Sequence, residues 1–232
     1  MSSAEILFED RGDAGRRLAE RLALYAEERP VVFALPRGGV PVGFEVSRSL
    51  NAPLEIVVSR KLGAPSQPEF GIGAVAPGGV RVLNERVVRA LGIKEDYLSW
   101  ISARESAEVE RRLRLFRGDR PYPDLNGRTV ILVDDGLATG VTARAALLAL
   151  RYLNPRCLVL AVPVCALQTA ELLRPETDDL ICLLNPPDLE AVGLWYRNFE
   201  QVSDEEVVRL LEEAWRQTEP DTGREDAGPA KP

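Results

Sequence analysis

The thirteen residues Val130-Ile-Leu-Val-Asp-Asp-Gly-Leu-Ala-Thr-Gly-Val-Thr142 constrain this chain more than any other segment. Four apolar residues read as a buried strand, and Thr142–Leu153 has the periodicity of a helix. Two adjacent carboxylates and a small-residue loop with Gly136, Thr139, Gly140 and Thr142 separate them. A strand that passes into a helix through such a loop ends with backbone N–H groups aimed outward. Those donors, the threonine hydroxyls and the helix dipole suit a phosphate. Asp134 and Asp135 are suited instead to accept from hydroxyls or to reach a hydrated cation. A phosphate with a diol beside it, as in a ribose 5-phosphate, matches the combination.

Strand-like runs recur along the chain at Val31–Leu35, Glu55–Ser59, Gly71–Ala76, Val80–Leu83, Val130–Asp134, Leu158–Pro163 and Leu180–Leu184. Helical patterns fall at Asp13–Glu28, Pro41–Leu50, Asn84–Leu91, Glu95–Phe116, Thr142–Leu153, Gln168–Leu173 and Asp204–Trp215. This alternation predicts an α/β fold with an open, mostly parallel, twisted sheet and helices on both faces. Gly71–Ala76 and Val80–Leu83, joined through Pro77-Gly78-Gly79, read as an antiparallel hairpin. In an open parallel sheet, ligands collect where loops leave the carboxyl ends of strands, here after Leu35, Ser59 and Asp135. At 232 residues the chain suits one domain over 1–217, with a polar, disordered tail at 218–232.

Composition removes several chemistries. There is no histidine, which excludes Ser-His-Asp and Cys-His catalysis and argues against a zinc site. Cys157, Cys165 and Cys182 lack C-x-x-C spacing and read as small buried hydrophobes in a reducing compartment, so a cytoplasmic location is expected. A net charge of −7 argues against a general nucleic-acid or membrane-surface binder. The opening residues form no charged-then-apolar leader, and no run approaches the roughly 18 apolar residues of a membrane span. A nicotinamide dehydrogenase is excluded because Gly71-Ile-Gly73 lacks the third glycine and the following helix, and a P-loop triphosphatase because its fingerprint is missing.

The Val130–Thr142 segment resembles the 5-phosphoribosyl-1-pyrophosphate (PRPP) motif of type I phosphoribosyltransferases: hydrophobic strand, acidic pair, Thr- and Gly-containing loop. The resemblance implies that Asp134 and Asp135 hold the ribose hydroxyls, and that Ala138, Thr139, Gly140, Val141 and Thr142 cradle the 5-phosphate. Leu35-Pro36-Arg37-Gly38-Gly39-Val40 resembles the family's pyrophosphate loop, so Arg37, Gly38 and Gly39 become pyrophosphate ligands, with any strained or cis peptide expected beside Arg37. Ser59-Arg60-Lys61 sits where the family places a pyrophosphate-binding Arg-Lys pair. Lys61 is one of only three lysines in an arginine-rich chain, and its compact ammonium can follow a developing charge. The resemblance therefore assigns Asp134, Asp135 and Lys61 to catalysis and Arg37, Gly38, Gly39, Arg60 and Lys61 to pyrophosphate. It implies Mg²⁺, carried mainly by substrate oxygens with Asp134 and Asp135 as its candidate protein contacts.

Family members carry a mobile lid before the motif strand. The corresponding stretch, Trp100 to Tyr122, is Arg- and Glu-rich and carries Leu113, Leu115 and Phe116, so it reads as a packed surface helix and receives no catalytic assignment. A small C-terminal hood over an acceptor base is implied at Asn185–Phe199, with Trp195 and Tyr196 as candidate base-stacking residues; buried aromatics under a cap fit that segment equally well. Ala138 stands where members that act on 6-oxopurines carry an acid, which argues against hypoxanthine and guanine. The expected function is transfer of phosphoribosyl from PRPP to a nucleobase-like nitrogen acceptor, in a homo-oligomer, with a non-catalytic PRPP- or nucleotide-sensing protein as the alternative.

Overall fold

The structure, a computed structural model, describes residues 8–218. Two sheets organise it. The larger has five parallel strands in the order β2-β1-β6-β7-β8, formed by β1 (Val31–Ala34), β2 (Leu54–Ile56), β6 (Thr129–Val133), β7 (Cys157–Val164) and β8 (Asp179–Leu184). The smaller is antiparallel, β3-β4-β5, formed by β3 (Arg60–Ala64), β4 (Gln67–Ala76) and β5 (Val80–Leu83).

Strand period sets the two cores. Ile131 and Val133 of β6 face a cluster with residues from α1 (Arg11–Leu22), α2 (Gly39–Leu50), α4 (Glu95–Arg117) and α7 (Asp204–Thr218). Val130 and Leu132 face the opposite cluster, built with α5 (Val141–Tyr152) and α6 (Leu167–Leu173). Every residue of β6 is fully buried, as expected of a strand covered on both faces. A short α3 (Glu85–Ala90) follows β5, N-capped by Asn84, which accepts from Val87 N at 3.2 Å.

The sheet reverses its direction of growth between β1 and β6. The chain runs from β1 through α2 to β2 on one side, and β6 then adds to the other side of β1. The crevice outside their carboxyl ends is where such folds bind ligands.

Several expectations need correction. The predicted strand Glu55–Ser59 ends as β2 at Ile56, and Arg60-Lys61 opens β3 instead of lying in a loop. The antiparallel hairpin is therefore a three-stranded sheet, packed against α4 and α5. The first helix starts at Arg11, because the Asp10 carboxylate accepts from Asp13 N at 2.7 Å, and its last turns, Ala23–Glu28, are 3-10. The last helix runs to Thr218, so the tail does not begin there. The rest of the predicted tail, 219–232, lies outside the described residues, as do residues 1–7. No helix among the described residues is long and apolar enough to cross a membrane.

The long helix α4 is anchored by an ion pair. Arg117 Nε donates to Glu55 Oε2 of β2 at 2.8 Å, with side chains 4% and 5% exposed. The same guanidinium donates to the Arg120 and Pro121 carbonyls and lies 3.9 Å from the Tyr122 ring centroid. Burial pushes the Glu55 carboxyl upward, and Arg117 opposes it.

Candidate functional site

Three chain segments leave the carboxyl edge side by side. After β1, Leu35 N donates to Val133 O at 2.9 Å, which carries the parallel pairing one residue past the strand. The Pro36–Arg37 peptide bond is cis, at the position expected. Gly38 and Gly39 then pass directly against the acidic pair. A β-carbon at Gly38 would overlap the Asp135 carboxylate, and one at Gly39 would lie 2.8 Å from Val133 O and 2.9 Å from Asp134 Cα. The two glycines are thus required by close approach of backbone to the Asp134-Asp135 turn. The Gly39 N–H already donates to Leu35 O at 3.0 Å, so this amide is committed to the turn. The Arg37 guanidinium lies 3.5 Å from Asp204 of α7.

After β6, Asp134 Oδ1 accepts from Asp135 N at 2.9 Å, which shapes the turn. Leu137 and Cys165 form an isolated bridge that ties the loop to the end of β7, and Thr169 Oγ1 donates to Ala138 O at 2.5 Å. Gly140 caps α5 with φ 67°, a left-handed conformation, and a β-carbon there would lie 2.6 Å from Thr169 Cγ2. The loop is thereby fixed from behind, while Thr139, Val141 and Thr142 are exposed in front. The opening N–H groups of this helix have no intrahelical acceptor by construction. A phosphate there meets both the donors and the positive end of the helix dipole.

The acidic pair is more enclosed than its sequence suggests. Burial, and then the neighbouring Asp135 charge, push the Asp134 carboxyl upward. Burial also raises Asp135, but Arg11 opposes it: Arg11 Nε donates to Asp135 Oδ2 at 2.8 Å, with side chains 11% and 14% exposed. Arg11 is itself held by the Glu200 carbonyl at 2.8 Å and by the Phe199 ring, whose centroid lies 3.8 Å from its Cζ. Sequence reasoning missed Arg11. It opens the first helix 124 residues before its partner, and no local pattern marks it.

A cleft of about 770 Å³ collects Arg60, Lys61, Val141 and Thr142 from the predicted set, with Pro36 and Ser59 beside them. Ser59 Oγ donates to Thr142 O at 3.4 Å, which holds the second and third segments together. The opposite wall is α4, through Tyr97, Trp100, Arg104, Glu105 and Arg112. Asp134, Asp135, Arg37, Gly38 and Gly39 do not line this cleft. A second cavity, about 310 Å³, shares Lys61 and Val141 with the first and adds Thr139, Gly140, Asn84 and Arg144. Lys61 thus borders both, its stem passing 3.4 Å from where a Gly71 β-carbon would stand.

The helix α4 packs through Leu98, Ile101, Val109, Leu113 and Phe116, whereas Leu115 of the expected apolar residues is 47% exposed. Its other face was not anticipated as a cleft wall. Glu105, only 6% exposed, accepts from Arg60 Nε through Oε2 at 2.9 Å and from Arg104 Nη2 through Oε1 at 2.7 Å. Although burial alone would raise it, the two arginines hold the Glu105 carboxyl below its ordinary value.

Of the two hood candidates, Tyr196 is buried and Trp195 half-buried. Tyr196 is 4% exposed, donates to Asp135 O at 2.5 Å, and lies between Phe8 and Phe199, at ring-centroid distances of 5.3 and 4.9 Å. Trp195 packs on the same small cluster, and its carbonyl accepts from Phe8 N at 3.1 Å. Both aromatics fasten the 8–11 segment to the back of the acidic turn.

For a metal, the two aspartates supply hard oxygen donors, one of them already bound to Arg11. Among the described residues no group of three or more His, Cys, Asp or Glu could hold an ion. The donor set suits Mg²⁺ shared with substrate oxygens, the usual mode for that ion.

The family model for the phosphoribosyl transferase domain matches residues 4–194. A provisionally named phosphoribosyl transferase of Mycobacterium tuberculosis, in strains H37Rv and CDC 1551, is 47% identical over 210 residues and covers 90% of the chain. The chain spans 47% of that relative's length. The crystal structure of TT1426 from Thermus thermophilus superimposes with a TM-score of 0.83 at 42% identity, over 89% of this chain and 98% of that one. The chain belongs to the phosphoribosyl transferase domain family.

Proposed function

We propose that this protein transfers the 5-phosphoribosyl group of PRPP to a nitrogen nucleophile and releases pyrophosphate. One observation carries the proposal: at the β1/β6 reversal, an acidic pair stands between a glycine turn that touches it and a helix N-terminus fixed for phosphate. The 5-phosphate sits on Ala138–Thr142, and Asp134 and Asp135 accept from the ribose hydroxyls through oxygens that Arg11 and the turn leave available. Arg37, the Gly38 turn, Arg60 and Lys61 take the pyrophosphate. Gly39 contributes closeness of approach and not a donor, since its N–H is bound to Leu35.

In the transfer, the C1′–O bond breaks with its electron pair going to pyrophosphate. The nitrogen lone pair forms the C1′–N bond, and the nitrogen's proton passes to water. Charge therefore grows on the leaving group, and donors fixed in advance bind the departing anion more strongly than the ground state. Lys61 follows that charge because its ammonium is compact, and Arg60 is held in place by Glu105. Mg²⁺, held by Asp134 and Asp135 together with substrate oxygens, would neutralise part of the pyrophosphate charge. Tyr196, buried behind the acidic turn, does not stack on the acceptor.

The test is a pyrophosphate-release assay with Mg²⁺, PRPP and a panel of nitrogen nucleophiles. Release that requires one class of nucleophile, matched by an N-ribosyl product, is the expected result. PRPP binding with no release across the panel would replace transfer by a sensing role on the same fold.

A further inference from the structure

Two walls of the large cleft differ in kind. The wall made by the phosphate loop and β3 carries backbone donors, Thr142, Arg60 and Lys61, which suit phosphates. The α4 wall carries an aromatic plane. Trp100 is 54% exposed inside a concave surface, with Tyr97 tilted against it at 5.7 Å between centroids and the Arg104 guanidinium 4.9 Å from the ring centroid. An exposed indole in a concave site, backed by a second ring, is a platform for another flat molecule. In the hood, Tyr196 is covered by the Phe8 and Phe199 rings.

The charge beside the platform is also ordered. Glu105 lies between Arg60 and Arg104 and binds each through a different oxygen, so it divides the cationic groups into a β3 side and an α4 side. Arg104 uses Nε and Nη2 on Glu105, and Arg112 uses Nε on Glu108, each guanidinium having five N–H donors in all. Glu105 has both oxygens engaged by arginine, so it does not repel an anion as an unpaired carboxylate would.

Resting on the phosphoribosyl reading, we propose that the α4 wall is the acceptor subsite, and that the acceptor is a planar heteroaromatic bearing an anionic group. Its ring stacks on Trp100, and Arg104 and Arg112 bind the anion. Glu105 is a positioning residue that aims Arg104. Neutral bases lack the group that these arginines recognise, which is a basis for selectivity beyond the Ala138 substitution.

Calorimetric titration of the full chain, with ribose 5-phosphate present, tests this with two matched pairs of probes. These are pyridine-3-carboxylate against its carboxamide, and imidazole-4-carboxylate against its carboxamide. The carboxylate of at least one pair is expected to bind about tenfold more tightly than its amide, the scale of one added charge-assisted contact. Arg104→Gln and Arg112→Gln should each bring that ratio towards one while PRPP keeps its wild-type affinity, and Trp100→Ala should weaken both members of the pair. Equal binding within both pairs, or no binding of any probe, overturns the proposal. It is also overturned if Arg104→Gln weakens PRPP as much as the carboxylate, since the α4 cations then serve pyrophosphate. Failure of the wild type to bind PRPP sinks the phosphoribosyl reading separately, and the carboxylate-to-amide ratio still decides the subsite.

Discussion

Asp135 acts in the company of Arg11. A buried carboxylate is costly unless paired, and the Arg11 guanidinium opposes the burial that pushes Asp135 upward while occupying Oδ2. Arg11→Gln should weaken PRPP binding by roughly tenfold or more, the range for loss of a charge-assisted bond, and Arg11→Lys should restore part of it. Calorimetry on variants with unchanged circular dichroism checks this, and an unchanged Arg11→Gln affinity would remove Arg11 from the site. Lys61→Ala should lower kcat by about 10²–10³, the scale for loss of one fixed donor to a developing anion, with a smaller effect on PRPP affinity. Steady-state kinetics separate the two. The acidic pair was legible in the sequence because two adjacent carboxylates after a buried strand have no packing purpose. Arg11 was not, because its role exists only through a contact across 124 residues.

Helix α4 serves two purposes, one on each face. Its inner face is held by Leu98, Ile101, Val109, Leu113 and Phe116, and its end by the Arg117–Glu55 pair. Arg117→Ala leaves a buried carboxylate without its cation and should destabilise the fold by about 3–5 kcal/mol, measured by denaturant unfolding. Replacing both partners with apolar residues of similar volume should cost far less. The period of the inner face was readable, whereas the use of Trp100 and Arg104 on the other face was not, because exposed arginines and a lone tryptophan have no periodicity to distinguish them. Strand β3 was hidden for a related reason. Two cations open it, and register shifts around Gly63 break the alternation that marks a strand.

At the scale of the molecule, the βα alternation was enough to anticipate a parallel sheet covered on both faces, because strand and helix periods are local properties. It was also enough to place Leu35 and Asp135 at one edge. It did not reveal that Phe8 and Tyr196 form a bridge, or that Tyr196 donates to Asp135 O. That bridge joins residues far apart in the sequence, and Tyr196, read from the sequence as either a base-stacking or a buried aromatic, braces the acidic turn from behind. Tyr196→Phe should accordingly weaken PRPP binding and leave acceptor selectivity unchanged, whereas a stacking role would alter KM for the acceptor first. Above all, Asp134 and Asp135 at the β1/β6 reversal are proposed to hold PRPP. Calorimetric titration of PRPP with Mg²⁺ into the wild type and an Asp134→Asn/Asp135→Asn double variant tests this most directly. Micromolar-range binding by the wild type, about −8 kcal/mol, is expected, with its loss in a variant that remains folded. Equal affinity in the two proteins, or no binding by a folded wild type, would contradict it.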